Sequence, residues 1–169
     1  GGTASVRLGV SLMAPGRNTQ ALWPQVHELV PDLQLEIVTV GDLYDPKTTV
    51  MTRLGAEVDV VQTSYSTVRW GGMCRLLPLF STPFSIDVLR TSPLAERRRL
   101  TVDDLRGRRV RMLRHANDAT DHLRRVLKAT EGIEVMDVQS FDFTLFNDAA
   151  ESGDVVVTSG AWSGVHPGF

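Results

Sequence analysis

Hydrophobic residues in the first third of the chain recur with two different spacings. Residues 6–10 and 33–40 are short runs rich in aliphatic and β-branched side chains, which predict strands. Between them, the apolar positions of residues 22–30 are spaced as on one face of a helix. Proline fits poorly inside a helix, so Pro24 predicts that this helix is kinked or begins near it.

A further helix and strand extend this pattern. Asp45 followed by Pro46 is typical of a helix start, and residues 58–61 predict a strand. The second half repeats the same order, with strands expected at residues 84–89, 109–113, 133–138 and 155–157 and helices from Asn117 or Asp118 and over residues 146–152. Strands that alternate with helices predict an α/β fold built on parallel-rich sheets with helices on both faces, divided near residues 80–86.

An arginine-rich stretch, PLAERRRLTVDDLRG at residues 93–107, separates two of these strands. Thr101 is the predicted N-cap of a short helix, with Asp104 as its capping-box partner and Leu100 and Leu105 as a hydrophobic staple. The arginines at 97–99 are then solvated loop charges, and a duplex-binding patch is the alternative.

Composition narrows the class of protein. Hydrophobic residues make up 42% and charged residues 22%, as in globular domains, and the net charge of −2 gives no general attraction to nucleic acid or anionic lipid. No apolar run approaches the ~20 residues of a membrane span, and no signal peptide is visible at the first residues. The single cysteine excludes an internal disulfide, so we expect a cytoplasmic protein.

Motifs for catalysis or cofactor binding are missing from the sequence. There is no GxGxxG and no Walker-type loop, and the four histidines form no metal-ligand spacing. No nucleophile is spaced with a base. We therefore expect no metal, no cofactor and no enzymatic activity.

Polar residues follow most of the predicted strands. Ligands of open α/β sheets bind outside the carboxyl ends of parallel strands, where helix N-termini also offer free N–H groups to anions. Ordinary loops with local Ser and Thr caps are the alternative explanation. The predicted ligand-binding residues are Ser11, Leu12, Met13, Gln62, Thr63, Ser64, Arg114, His115, Ser140, Phe141 and Thr158.

Several stretches, in this order, resemble the effector-binding regulatory domain of LysR-type transcriptional regulators. After the opening strand at residues 6–10, the helix and the PDLQL strand are similar to that family, and so is LGAEVDVV at residues 54–61. The run ending TSPLA at residues 91–95 is similar to a family motif that has histidine where Ser92 stands here, and LTVDDLRG at residues 100–107 matches another.

The resemblance implies two flavodoxin-like lobes of the type 2 periplasmic-binding-protein fold: residues 1–84 as lobe I, 85–160 as lobe II, and 161–169 as the start of a crossover back to lobe I. It also implies a small, polar or anionic effector bound in an interlobe cleft, and a homodimer or tetramer. DNA contact is expected only through the family's N-terminal helix-turn-helix, outside this chain, and no membrane contact is expected. The family's domain also continues past the equivalent of residue 169, so part of lobe I is expected to be missing.

Two other functions remain open from the sequence. A solute-binding protein of a transporter shares the two-lobe design, and it is expected to have a secretion signal upstream where a regulator has a DNA-binding module. An enzyme on the same scaffold requires an acid–base pair or a nucleophile in the cleft, which the sequence does not supply.

Overall fold

The structure is a computed structural model, and it describes residues 4–11, 14–41, 50–64, 72, 74–114, 117–159 and 166–169. These residues form two compact units, the first up to residue 74 and the second from residue 75 onward. Each unit contains its own sheet, with three strands described in the first and four in the second.

The first unit is a parallel sheet with strand order β2-β1-β3. Strand β1 is central and pairs along its whole length with β2, whereas its pairing with β3 is short. In chain order the elements are β1 (Ala4–Val10), α1 (Arg17–Leu29), β2 (Leu33–Thr39), α2 (Val50–Arg53) and β3 (Val60–Val61). The predicted parallel order of this half is therefore confirmed.

Helix α1 begins well before Pro24, so of the two predicted forms the start near that proline is wrong, and a kink there stays a prediction. The helix begins at Arg17, directly after Gly16 in a left-handed conformation (φ 65°), and it continues through Pro24 to Leu29. Pro24 lies inside this helix rather than at its start. The helix tolerates the proline because its ring is exposed to solvent and only one backbone hydrogen bond is lost there. The helix start predicted at Asp45 and Pro46 lies outside the described residues.

A close approach of β1 and its neighbours explains the glycine in the middle of the first strand. A Cβ atom on Gly9 would lie 3.1 Å from Val61 Cγ2 and 3.2 Å from Val58 Cγ1. Real Cβ contacts are rarely that short, so the two valine side chains would have to move by a few tenths of an ångström to admit a methyl group at residue 9.

The second unit has strand order β4-β7-β5-β6, with β5, β6 and β7 parallel and β4 antiparallel to β7. A 3-10 helix precedes β5. The elements are β4 (Phe84–Asp87), the 3-10 helix (Val102–Leu105), β5 (Arg108–Leu113), α3 (Asp118–Ala129), β6 (Ile133–Val138), α4 (Phe143–Ser152) and β7 (Val155–Ser159).

Side-chain caps set the boundaries of the two long helices in this unit. The Asn117 side chain accepts a hydrogen bond from the Thr120 N–H (2.8 Å), and the Asp142 carboxylate accepts one from the Leu145 N–H (3.0 Å). Helix α4 ends at Gly153, which is left-handed (φ 71°). Because Asp142 is the cap, α4 begins at Phe143, earlier than the start at residue 146 that the apolar spacing predicted.

Helices cover both faces of the second sheet. On one face, Val110, Met112, Val155 and Val157 are buried in a core cluster that includes Leu127 of α3. The alternate positions of β5 point to the other face, where Arg111 contacts Asp148 and Ser152 of α4. Helices therefore lie on both faces of the sheet, as the sequence predicted.

The arginine-rich stretch folds largely as its sequence indicated. The Asp104 carboxylate accepts hydrogen bonds from the backbone N–H (2.7 Å) and the hydroxyl (2.9 Å) of Thr101. Leu105 is buried, and Leu100 packs against the same cluster. Arg97 is exposed, as expected of a loop charge, and it also forms an ion pair with Asp104.

A buried ion pair anchors the opposite face of the sheet. Asp154 is only 3% exposed, and its two carboxylate oxygens lie 2.7 Å from Arg111 Nε and 3.1 Å from Arg109 Nε. Arg109 and Arg111 are alternate residues of β5, so both side chains lie on the same face of the sheet and reach the residue that precedes β7.

Candidate functional site

In the first unit, two predicted ligand residues lie at the carboxyl ends of adjacent parallel strands. Ser11 follows β1, and its hydroxyl oxygen accepts a hydrogen bond from the Ala14 N–H (3.1 Å). Gln62 follows β3, and its Oε1 accepts hydrogen bonds from the N–H (3.0 Å) and the hydroxyl (2.8 Å) of Thr19 in the first turn of α1. Both side chains are half-buried. Gln62 therefore fixes the start of α1 against the end of β3.

Of the other residues predicted for this edge of the sheet, the structure describes Thr63 and Ser64. Thr63 and Ser64 are exposed and follow Gln62 without regular structure. Because Gly9 pairs with Val61, extending the register places Ser11 at the level of Thr63. Leu12 and Met13 lie outside the described residues. The structure thus brings Ser11, Gln62 and Thr63 to one edge of the first sheet.

In the second unit, Arg114 and Ser140 lie at the carboxyl ends of the paired strands β5 and β6. Arg114 is exposed, and its backbone N–H donates to the Val138 carbonyl (2.8 Å), which extends the strand pairing by one residue. Ser140 is also exposed, and its hydroxyl donates to the Asp142 carboxylate (3.1 Å) beside the start of α4. His115 lies outside the described residues.

Phe141 has a different environment from its neighbours on this edge. Its side chain is 5% exposed and makes an edge-on contact with Phe146 of α4, with ring centroids 5.4 Å apart. The ring belongs to an aromatic layer that also contains His166 and Phe169. Packing in the unit's interior therefore accounts for this side chain, and any contact of Phe141 with a ligand stays a prediction.

Thr158 connects the edge of the second sheet to a carboxylate that the sequence interpretation missed. Its buried hydroxyl donates to Asp87 Oδ1 (3.0 Å) across the antiparallel β4–β7 pair. Burial raises the pKa of Asp87 above its ordinary value, and the hydrogen bond from Thr158 opposes part of that rise. A single acidic residue within the apolar run FSIDVL was the available signal for this position.

A buried arginine holds the carboxyl ends of β5 and β6 in place. Arg124 of α3 donates to Asp137 of β6 (2.6 Å), and it also contacts the Leu113 carbonyl and Asp121. Burial alone would raise the pKa of Asp137, but hydrogen bonds from Lys128 and Arg124 outweigh it and the net pKa is lowered. Arg124 is therefore a positioning residue for the strand ends that precede Arg114 and Ser140.

Chemical groups on these edges suit binding by hydrogen bonds and charge. They comprise hydroxyls, an amide and one exposed guanidinium, and the described part of the chain contains no group of three His, Cys, Asp or Glu residues that could hold a metal ion. Among the described helices, none is long and apolar enough to span a membrane.

Comparison of the chain with models of known protein families and with curated protein sequences finds no match. Comparison with solved structures finds similar folds. The oxidised form of OxyR superimposes with a TM-score of 0.63 at 16% identity, over 98% of this chain and 74% of that one. The reduced OxyR regulatory domain from Pseudomonas aeruginosa gives 0.54 at 17%, over 98% and 77%.

A transport-type binding protein is similar as well. An ancestral arginine-binding protein bound to arginine gives a TM-score of 0.58 at 17% identity, over 94% of this chain and 70% of that one. The OxyR domains are LysR-type regulatory domains, so the resemblance seen in the sequence motifs is confirmed at the level of fold. The chain has the type 2 periplasmic-binding-protein fold.

Proposed function

We propose that this chain is the effector-sensing domain of a LysR-type transcriptional regulator and that it binds a small polar or anionic organic molecule. The main support is its fold likeness to the OxyR structure over 98% of the chain. In both units, moreover, hydrogen-bonding residues stand at the carboxyl ends of parallel strands, where sheets of this class bind ligands.

Chemistry at these strand ends favours an anion over a cation. In the second unit Arg114 supplies an exposed guanidinium, and helices α3 and α4 start directly after the strand ends. In the first unit α1 starts shortly after β1. Backbone N–H groups in a first helical turn and the helix dipole both attract negative charge. A carboxylate with hydroxyl or carbonyl groups matches this set of donors.

In this proposal, regulation arises because the effector has different affinities for two conformations of the domain. The effector binds one conformation of the domain more tightly than another and so shifts the population between them. In a homodimer or tetramer, that shift changes the arrangement of DNA-binding modules attached to the same chains. Residues 1–84 and 85–160 are the lobes that we assign to this movement, with residues 161–169 starting the return to lobe I.

A thermal-shift screen tests the sensing function. The chain is mixed with a panel of aliphatic and aromatic carboxylates, and we expect at least one to raise the melting temperature in a saturable way. A ligand at one hundred times its dissociation constant adds about 2.7 kcal/mol to the free energy of unfolding. Recovery of the ligand unchanged after incubation is expected of a sensor. A broad panel without any stabilising compound, or conversion of the bound compound, contradicts the proposal.

A solute-binding protein is the second candidate, and the fold likeness to the arginine-binding protein favours it. Amino acids, arginine among them, therefore belong in the same panel. The coding sequence upstream of residue 1 separates the two functions directly. A regulator has a helix-turn-helix module there, whereas a transporter component has a secretion signal.

A further inference from the structure

A cavity of about 170 Å³ lies within the second unit, at the amino ends of its parallel strands. Its apolar wall consists of Val88, Leu89, Pro93 and Val155. The predicted effector residues of this unit stand at the carboxyl ends of the same strands, so the cavity belongs to the opposite edge of the sheet.

Arg108, the first residue of β5, supplies a cation to this cavity. Its side chain is half-buried, and within the described part of the chain its guanidinium has neither an ion pair nor a hydrogen bond. Neighbouring arginines are engaged: Arg106 pairs with Asp103 (2.8 Å), and Arg111 pairs with Asp154 (2.7 Å). A half-buried cation normally has a partner, because desolvation without compensation is unfavourable.

The carboxylate that also lines the cavity does not supply that partner. One Asp154 oxygen accepts a hydrogen bond from Arg111 Nε (2.7 Å), and the other lies 3.1 Å from Arg109 Nε. Its negative charge is therefore shared by two arginines, and among the described residues no ion pair joins it to Arg108. Thr91 also lines the cavity, and its hydroxyl group is of the kind that donates a second hydrogen bond to a carboxylate.

We propose that this cavity is a second binding site, specific for a small monocarboxylate with a hydrocarbon body. The carboxylate accepts hydrogen bonds from Arg108 and Thr91, and the hydrocarbon part packs on the valine, leucine and proline side chains. An enclosed cavity of about 150 Å³ holds a benzene ring, and the volume of about 170 Å³ here, which is open to solvent on one side, has room for a single aromatic ring or a short aliphatic chain that keeps solvent contact. This site is independent of the effector function proposed above.

NMR titration of the ¹⁵N-labelled chain with benzoate tests the site. Butyrate and inorganic phosphate are titrated in parallel at constant ionic strength. We expect saturable shifts of the Leu89, Thr91, Gly153 and Val155 amide signals with benzoate or butyrate, and a much weaker response to phosphate. Phosphate binding as tightly as either carboxylate identifies an inorganic-anion site and overturns the proposal, as does the absence of saturable shifts.

Two variants and a matched control complete the experiment. Arg108→Gln removes the charge and is expected to weaken benzoate binding by roughly tenfold or more, the usual effect of losing a hydrogen bond to a charged group. Arg108→Lys keeps a charge and is expected to retain part of the affinity. Arg125→Gln, an exposed arginine of α3 away from the cavity lining, serves as the control. Equal affinity of the Arg108→Gln variant and the wild type overturns the proposal.

Discussion

Four hydrogen bonds join Arg7 to Asp59 and connect strand β1 to the segment that leads into β3. The Asp59 carboxylate accepts hydrogen bonds from Arg7 Nε (3.0 Å), Arg7 Nη2 (2.7 Å) and the Arg7 backbone N–H (2.8 Å). In return, the Asp59 N–H donates to the Arg7 carbonyl (2.8 Å). Asp59 is the acidic residue of the LGAEVDVV stretch that is similar to the regulator family, and in this chain it has a clear structural role.

This pair predicts an acid-sensitive contribution to the stability of the first unit. Hydrogen bonds from Arg7 lower the pKa of Asp59 from its ordinary 3.8 to about 2. A carboxyl whose pKa is lowered by folding stabilises the fold above its ordinary value and loses that contribution as the pH falls toward about 2. We expect Asp59→Asn to lower the melting temperature at pH 7 and to flatten its dependence on pH in this window.

The control is Glu28→Gln, which changes an exposed acidic residue of α1. Melting followed by circular dichroism between pH 2 and pH 7 measures both variants. An Asp59→Asn protein whose melting curves parallel the wild type over this range contradicts the assigned role.

A second prediction concerns the tight contact at Gly9. Gly9→Ala places a methyl group 3.1 Å from Val61 Cγ2, and overpacking of this kind destabilises by about 1–3 kcal/mol. Urea denaturation measures the change. A double variant that also carries Val61→Ala is expected to recover part of the loss, because it removes the methyl group that clashes. No recovery in the double variant argues against this origin.

The buried charge of Asp154 gives a third prediction. Asp154→Asn removes the buried carboxylate and leaves Arg109 and Arg111 only their longer ion pairs, with Glu134 (4.0 Å) and Asp148 (3.8 Å). Breaking a buried pair costs about 3–5 kcal/mol. The matched control is Asp103→Asn, because Asp103 forms an exposed pair with Arg106, worth about 0–1 kcal/mol. Similar decreases in the free energy of unfolding for the two variants, measured by urea denaturation, would contradict a special contribution of the buried Asp154 pair to stability.

A fourth prediction concerns the carboxyl group beside Thr158. Burial raises the pKa of Asp87, so its contribution to stability falls as the pH rises through the window from 3.8 upward. Thr158→Val removes the opposing hydrogen bond, and we expect it to raise this pKa further. NMR titration of the Asp87 carboxyl carbon measures both midpoints. A wild-type midpoint at or below 3.8 excludes the desolvated environment.

Much of the fold follows from local sequence signals. Asn117, Gly153 and the Thr101–Asp104 contact all act at short range, so composition and spacing suffice to find them. The first residue of helix α1 was harder to predict, because a proline often marks a helix start. Only the structure shows that Pro24 lies in the middle of the helix with its side chain exposed to solvent.

The candidate site was less predictable, since it depends on contacts between distant parts of the chain. The rule for parallel sheets correctly indicated the strand ends at Ser11, Gln62 and Arg114. The directions of individual side chains could not be predicted in this way. The Phe141 ring is buried, and the Thr158 hydroxyl donates to Asp87, which is 71 residues away in sequence. No local pattern encodes these two outcomes, nor the cavity beside Arg108.

The most direct test of effector binding is an NMR titration of the labelled chain with the strongest stabiliser from the thermal-shift panel. We predict saturable shifts of amide signals at the carboxyl ends of the parallel strands, which are Ser11 and Gln62 in the first unit and Arg114, Ser140 and Thr158 in the second. Saturable shifts confined to residues away from these strand ends would contradict the proposal that the effector binds there.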